Sequence, residues 1–311
     1  MRAPQVSVVL PTRNRSSMLM KALRSALDQE EVELEVLVVD EGSSDDTQAR
    51  LNGVDDQRLT VLRHASAQGV ARARNAAIER ALGAWIAFLD DDDLWAPANL
   101  RTQLDAANQR GLSLSYCGRI EIDEHGAVIN TASPPDPNDL PRRLLTNNSI
   151  GGPTGVVVQA ALLQHVGRFD ERLSALADWD LWIRAARGGV VGGCPEPLVA
   201  CRSHPQNMMV AEVDQIEADF ELLREKYGKD ARQAGIEFGA NFLGRWTAAR
   251  ELASGRRLKA ARGYLGVAAK DRSPRDVARA LGALGGDLFR RLGRYAEARI
   301  TPRPDWLDRY A

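Results

Sequence analysis

Short apolar runs rich in branched side chains recur along the first two-thirds of the chain, separated by polar loops and by stretches with helical periodicity. Runs at 6–10, 34–39, 59–62 and 84–89 read as buried strands, the first closed by Pro11. Between the first two, Leu19, Ala22, Leu23, Ala26 and Leu27 fall on one face of a helix that Ser16 or Ser17 would cap and that runs to about Gln29. A short helix ends near Leu51, and an Ala-rich one follows Gly69 and ends near Leu82. Strands alternating with helices predict βαβ units, right-handed crossovers and a doubly wound sheet.

Beyond Pro97, which opens another helical pattern, the pattern continues with a strand at 112–116, a hairpin over 121–128 turning at His125-Gly126, and a Pro-rich loop at 133–137. Gly151-Gly152-Pro153-Thr154-Gly155 precedes a strand at 156–158, and a helix at 160–165 follows. A helix begins at Ala177; its Leu181 and Ile183 suit a core, and Trp182 reads as a packing residue. Short strands are expected at 190–191 and 198–200. From Val210 the period turns helical: Ile216, Phe220 and Leu223 repeat on one face, and breaks near Gly228, Gly255 and Gly285 divide the region into four or five helices. The expected organisation is an α/β domain over 1–209 and a helical region over 210–311.

Composition changes this picture little, but charge does. With 44% hydrophobic and 27% charged residues the chain is ordinary for a globular protein. Its net charge of −1 gives no global field for nucleic acid. The charge is uneven, however: residues 1–240 carry 25 Lys and Arg against 35 Asp and Glu, and residues 241–311 carry 16 against 7. A basic helical tail suggests oligomerisation or docking to an anionic lipid surface. Cys117, Cys194 and Cys201 are odd in number and lack CxxC spacing, which argues against a disulfide framework or zinc site and for a reducing compartment. With no secretory leader pattern and no apolar run of transmembrane length, the expected location is cytoplasmic, peripheral at the inner face of the membrane where the tail docks.

The chemistry concentrates at Asp90-Asp91-Asp92-Asp93, at the exit of the fourth strand. Adjacent carboxylates repel one another, and a divalent cation with oxygen ligands would relieve that repulsion. A solvated acidic loop is the plain alternative. The loops at Thr12, Asp40 and Asp90 all leave the carboxyl ends of strands, so a parallel sheet would bring them to one edge, where open α/β sheets bind ligands.

Several segments in order resemble the family 2 glycosyltransferases, inverting enzymes of the GT-A fold. They are Val8-Val9-Leu10-Pro11-Thr12-Arg13-Asn14, Val38-Val39-Asp40-Glu41-Gly42-Ser43-Ser44-Asp45, Gly69-Val70-Ala71-Arg72-Ala73-Arg74-Asn75, Phe88-Leu89-Asp90-Asp91-Asp92-Asp93 (the family's DxD element), Gly167-Arg168-Phe169-Asp170-Glu171 and Asp178-Trp179-Asp180-Leu181-Trp182. The resemblance implies a GT-A doubly wound mixed sheet flanked by helices, here with a C-terminal helical extension.

It also implies roles. Pro11, Thr12 and Arg13 would lie at the donor's nucleobase and ribose, and Asp40 or Glu41 would accept a hydrogen bond from the base. Arg74 would lie near the base or the phosphates. Asp90 or Asp91 would contact the ribose, Asp93 would start a helix, and Asp92 would bind Mg²⁺ or Mn²⁺ on the diphosphate, with His204 approaching the metal. Asp178 would be the general base, and Asp180 a structural partner. The implied partners are a nucleotide-diphosphate sugar, first of all a UDP-sugar, and a carbohydrate or lipid-linked acceptor of polysaccharide biosynthesis. Two positions depart from the pattern: Glu41 stands where a second Asp is common, and Ala177 where Glu is common. A sugar nucleotidyltransferase, or a non-catalytic nucleotide-sugar-binding protein on the same fold, are the alternatives.

Overall fold

A computed structural model describes residues 3–204, 213–271, 276–285 and 303–310. The first four strands form where the apolar runs predict them: β1 (Val6–Thr12), β2 (Leu34–Asp40), β3 (Leu59–Arg63) and β4 (Trp85–Phe88). They lie parallel in the order β3-β2-β1-β4. All seven β1 residues are buried, as a strand covered on both faces requires. The strand runs through Pro11 rather than ending there. Pro11 lies past the last β4 pairing, at Val9–Phe88, so the strand has a neighbour on one side only. A missing N–H is tolerated at such a place.

The crossovers are helical: α1 (Ser16–Leu27), α2 (Thr47–Asn52) and α3 (Val70–Arg80). Leu19, Ala22, Leu23 and Ala26 of α1 pack on Val6, Val8, Leu10, Val36 and Val38 in the main core. β5 is a two-residue strand, Leu94–Trp95, that the helical pattern around Pro97 conceals; α4 (Asn99–Arg110) begins only after it.

The second half of the sheet is mixed. It comprises β6 (Leu114–Ile122), β7 (Val128–Ala132), β8 (Val156–Gln159) and β9 (Val191–Arg202). β8 runs antiparallel to β4 and β6, β9 runs parallel to β6 and antiparallel to β5, and β7 closes a hairpin on β6. The two short strands expected near 190 and 198 are one strand with a bulge: Cys117 pairs with Cys194, but Gly118 pairs with Pro197. Pro195 and Pro197 break the apolar pattern without ending the strand. Gly118 admits this bulge because a Cβ there would stand 2.9 Å from the carbonyl oxygens of both Pro195 and Glu196.

Between β7 and β9 lie α5 (Leu140–Leu144), α6 (Ala160–Val166) and α7 (Ala177–Gly188). Then come α8 (Val213–Gln233), α9 (Ala240–Ala253), α10 (Arg257–Asp271) and a helix at 276–285. The onset of the helical pattern at Val210 lies outside the described residues. Gly228 sits inside α8; the break comes at Gly235 and Gly239, both at positive φ (70° and 65°).

The chain forms two compact units, one of 1–140, 150–220 and 303–311, the other of 141–149 and 221–302. The first holds the whole sheet. The second is helical, with Ala248, Ala260, Ala261, Tyr264, Ala280 and Ala283 as its core, and Asp276 fully buried against Arg245 at 2.8 Å.

Candidate active site

The parallel strands β1, β2 and β4 end at the same edge, and their exits form one wall of a cavity of about 580 Å³. Pro11, Thr12, Arg13, Glu41, Arg74, Asp90, Asp91, Asp92 and Asp178 all line it. Asp40 and His204 are not among the lining residues; His204 contacts Asp92, which is.

At the β4 exit, adjacent aspartates have separate partners. Arg74, on α3, donates to Asp90 Oδ1 at 2.5 Å and lies over the Phe169 ring. Thr12 Oγ1 donates to Asp91 Oδ2 at 2.8 Å. Arg15 Nη1 lies 3.1 Å from Asp91 Oδ1 and 2.9 Å from Asp92 Oδ2, and His204 Nε2 lies 2.9 Å from that same Asp92 oxygen. Asp93 does not start a helix. Its buried carboxyl group accepts Thr154 Oγ1 at 2.6 Å and the Arg202 backbone N–H at 3.0 Å, so it ties the turn ahead of β8 and the end of β9 to the loop.

Burial, then the charge of Asp92, pushes Asp91 up to about 7. Asp93 is pushed well above the carboxylate range by burial first, and then by Asp92 and Asp90. Burial and mutual repulsion thus oppose ionising all the carboxyls of the loop at once.

The β2 exit is held by its own carboxylates. Asp40 Oδ1 accepts the Ser43 N–H at 2.8 Å. Glu41 Oε2 accepts the N–H groups of Gln68 and Gly69 at 2.7 Å each, and its other oxygen meets His64 Nδ1. The longer side chain at 41 therefore reaches the start of α3 and fixes the segment 64–69. Ala67, Gly69 and Val70 of this region line the cavity beside it.

Asp178, which also lines the cavity, sits in the first turn of α7, and its Oδ1 accepts the Trp179 N–H at 2.7 Å. Asp180 is fully buried and paired with Arg184, whose guanidinium also donates to the carbonyls of Val166, Gly167 and Arg168. It is not on the solvent side, and it is not among the cavity's lining residues. Trp182 packs beside Phe88 and donates to Gly151 O.

Several contributors escape the sequence patterns. Asp219, fully buried on α8, accepts the N–H groups of Ser174 and Leu176 at 2.9 and 3.0 Å. It thereby shapes the turn that delivers Asp178. A lone Asp on a polar helix gives no signal of this. Arg15 acts from the β1 exit loop without being singled out by any motif, and Thr154 and Arg202 act from segments whose spacing says nothing about the β4 exit. Arg119 lines the cavity far from any motif, with Nη1 donating to Ile150 O.

The donor set suits a hard divalent cation carried mainly by substrate oxygens. Among the described residues no three His, Cys, Asp or Glu side chains gather as a ready-made cage. His204 Nε2 contacts Asp92 Oδ2, so these two side chains are the ones that could share a cation with substrate oxygens.

A mixed sheet with this carboxylate loop at a strand exit, a cavity at the switch in strand direction and a helical C-terminal part define a GT-A α/β fold. The sequence profile of glycosyl transferase family 2 matches residues 7–169, and the chain belongs to that family. Its fold is the GT-A fold of that family. The matched region stops short of Asp178 and His204.

The chain is 34% identical over 158 residues to the UDP-Glc:alpha-D-GlcNAc-diphosphoundecaprenol beta-1,3-glucosyltransferase WfgD of Escherichia coli, covering 51% of this chain and 61% of that protein. It is 31% identical over 202 residues to an uncharacterized glycosyltransferase of Rickettsia felis, covering 64% of this chain and 33% of that protein. Both matches span less than two-thirds of the relative. The crystal structure of S. aureus TarS 1–349 in complex with UDP-GlcNAc shares the fold at 18% identity and a TM-score of 0.60, covering 98% of this chain and 89% of that one.

Proposed function

We propose that this protein is an inverting glycosyltransferase that moves a sugar from a nucleoside-diphosphate sugar to an acceptor hydroxyl, with Asp178 as general base. The observation that carries the reading is that Asp178 lines the same cavity as Asp90, Asp91 and Asp92. A UDP-sugar donor fits the UDP-Glc in the name of the E. coli relative and the UDP-GlcNAc bound to TarS. A lipid-linked acceptor of polysaccharide biosynthesis fits the diphosphoundecaprenol in the former's name.

In this reading Pro11, Thr12, Arg13, Asp40, Glu41 and Arg74 form the nucleoside end of the site, with Glu41 acting through the segment it fixes. Asp90 and Asp91 face the ribose. Asp92 and His204 hold Mg²⁺ or Mn²⁺ on the diphosphate. When bound, the cation neutralises the charge on the departing diphosphate. The acceptor hydroxyl approaches from the Asp178 side. Its oxygen bonds to the anomeric carbon as the bond to the diphosphate breaks, and its proton passes to the Asp178 carboxylate. Attack opposite the leaving group inverts the anomeric centre, so no covalent sugar–enzyme bond is needed.

The α/β domain over 1–209 would carry the chemistry, and the helical region over 210–311 would dock to the anionic membrane surface that presents the acceptor. The test is release of nucleoside diphosphate from a panel of nucleotide sugars, with and without Mn²⁺. Asp178→Asn should lower kcat by about 10²–10⁴-fold, the range of a general base, with donor affinity kept. Asp92→Ala should lose the Mn²⁺ dependence. Full turnover in both variants would sink the reading. Release of inorganic pyrophosphate from a nucleoside triphosphate would replace it with a nucleotidyltransferase.

A further inference from the structure

We infer that Arg15 is an internal counter-cation: in the nucleotide-free protein it occupies the oxygens of Asp91 and Asp92, and it yields them to a divalent cation when a nucleoside diphosphate offers it another anion. The inference rests on the transferase reading above and concerns the order in which the site is loaded.

One guanidinium nitrogen bridges the two carboxylates, at 3.1 Å from Asp91 Oδ1 and 2.9 Å from Asp92 Oδ2. The Arg15 side chain is 24% exposed, and those of Asp91 and Asp92 only 7% and 11%. The bridge therefore lies in poorly solvated surroundings, where charges interact strongly. His204 converges on the same Asp92 oxygen, so the atom best placed for a metal already has two nitrogens on it. A divalent cation and Arg15 compete for these lone pairs, and their charges repel.

Local structure aims the side chain. Asn14 has φ 52°, the left-handed region, and is held there by a hydrogen bond from its N–H to Ser43 Oγ and by the Ser44 N–H donating to its Oδ1. Arg15 follows as the N-cap position of α1, at the exit of β1. The residue thus stands on a fixed turn between the β1 and β4 loops, and its planar fork suits phosphate oxygens as well as carboxylates. A diphosphate brings the anions that release it. Cation binding then depends on the donor, and the site does not load metal on its own.

A purely structural ion pair makes the opposite forecast for metal. If Arg15 only braces the two loops, its removal loosens Asp92 and weakens cation binding. If it is a counter-cation, its removal tightens cation binding. The experiment titrates the nucleotide-free full chain with Mn²⁺, following the EPR signal of unbound Mn²⁺, for wild type, Arg15→Met and Arg15→Lys. Circular dichroism checks that each is folded, and Arg15→Gln replaces Arg15→Met if the latter is not.

Arg15→Met should bind Mn²⁺ at least about tenfold more tightly than wild type, a modest demand for removing one positive charge from beside a dication. Arg15→Lys, which keeps the charge, should stay near wild type. With saturating UDP present the advantage of Arg15→Met should close. Equal or weaker Mn²⁺ binding by nucleotide-free Arg15→Met overturns the inference. So does a gain that Arg15→Lys shares, since charge would not be its cause. The transferase reading fails separately, if no nucleoside diphosphate raises the Tm of wild type with Mn²⁺ present.

Discussion

Asp91 is buried, bonded to Thr12 and Arg15, and yet pushed up to about 7, because burial and the neighbouring Asp92 charge outweigh those donors. A carboxyl whose folded pKa exceeds its unfolded value retains a proton that the unfolded chain has already lost. Its contribution to stability is therefore most favourable at low pH. It declines as pH rises from the ordinary carboxylate value through about 7. The expected result is that the Tm of the metal-free wild type falls, relative to Asp91→Asn, between pH 5 and pH 8, corresponding to a few kcal/mol. A constant Tm difference between the two proteins over that interval would show that Asp91 ionises normally. The repulsion between Asp91 and Asp92 is what a divalent cation would relieve in the function proposed above.

At the scale of elements, the parallel half of the sheet was legible because each buried strand reads as a continuous apolar run and each crossover helix keeps one apolar face, as Leu19, Leu23 and Ala26 do in α1. The convergence of the exits of β1, β2 and β4 followed from topology, and the family resemblance picked out the residues Pro11, Thr12, Arg13, Glu41, Arg74, Asp90, Asp91 and Asp92 that line one cavity. The mixed half was harder to read. β5 is only Leu94–Trp95, too short for a period, and β9 hides behind Pro195 and Pro197. The site's cross-links were illegible for a different reason: Arg15 to Asp92, Thr154 to Asp93 and Asp219 to Ser174 join segments far apart in sequence, and no local pattern records such pairs. Asp219 makes the point testable. Asp219→Ala would strand two buried N–H groups ahead of α7, at roughly 1–3 kcal/mol for each group left without a partner. Turnover should drop with the Asp178 turn, while UDP binding at the strand exits should stay near wild type. Normal kcat in a folded Asp219→Ala protein would show that this turn does not position Asp178. Gly118→Ala should destabilise without touching the site chemistry, since its Cβ would meet two carbonyl oxygens at 2.9 Å; an unchanged Tm would contradict that.

At the scale of the whole molecule, the charge division acquires a physical form in the helical unit of 141–149 and 221–302. Leu258 and Leu265 on α10 are 70% and 46% exposed, and Arg257, Lys259, Arg262 and Lys270 of the same helix are exposed with them. On the helix at 276–285, Val277, Leu281 and Leu284 form a second exposed stripe at i, i+4, i+7, alongside the exposed Arg279. Among the described residues no helix is long and apolar enough to cross a membrane. Exposed leucines set among basic side chains match a surface that lies on a bilayer, with the apolar groups entering the headgroup boundary and the cations meeting anionic lipid. Each basic residue near such a surface is worth about 1 kcal/mol, and the attraction is screened by salt. The protein should therefore co-sediment with vesicles containing phosphatidylserine or cardiolipin, and not with phosphatidylcholine alone. Binding should fall at least about tenfold when salt is raised from 0.1 to 0.5 M, as several screened contacts of this size require. Leu258→Glu with Leu281→Glu should abolish vesicle binding and leave donor hydrolysis in detergent unchanged, because both positions lie outside the sheet that carries the site. Equal binding to neutral and anionic vesicles, or a double variant that still sediments, would leave the basic unit without a lipid role. A concentration-dependent shift in mass by sedimentation velocity, lost in the same variant, would assign these leucines to a contact between copies of the chain instead.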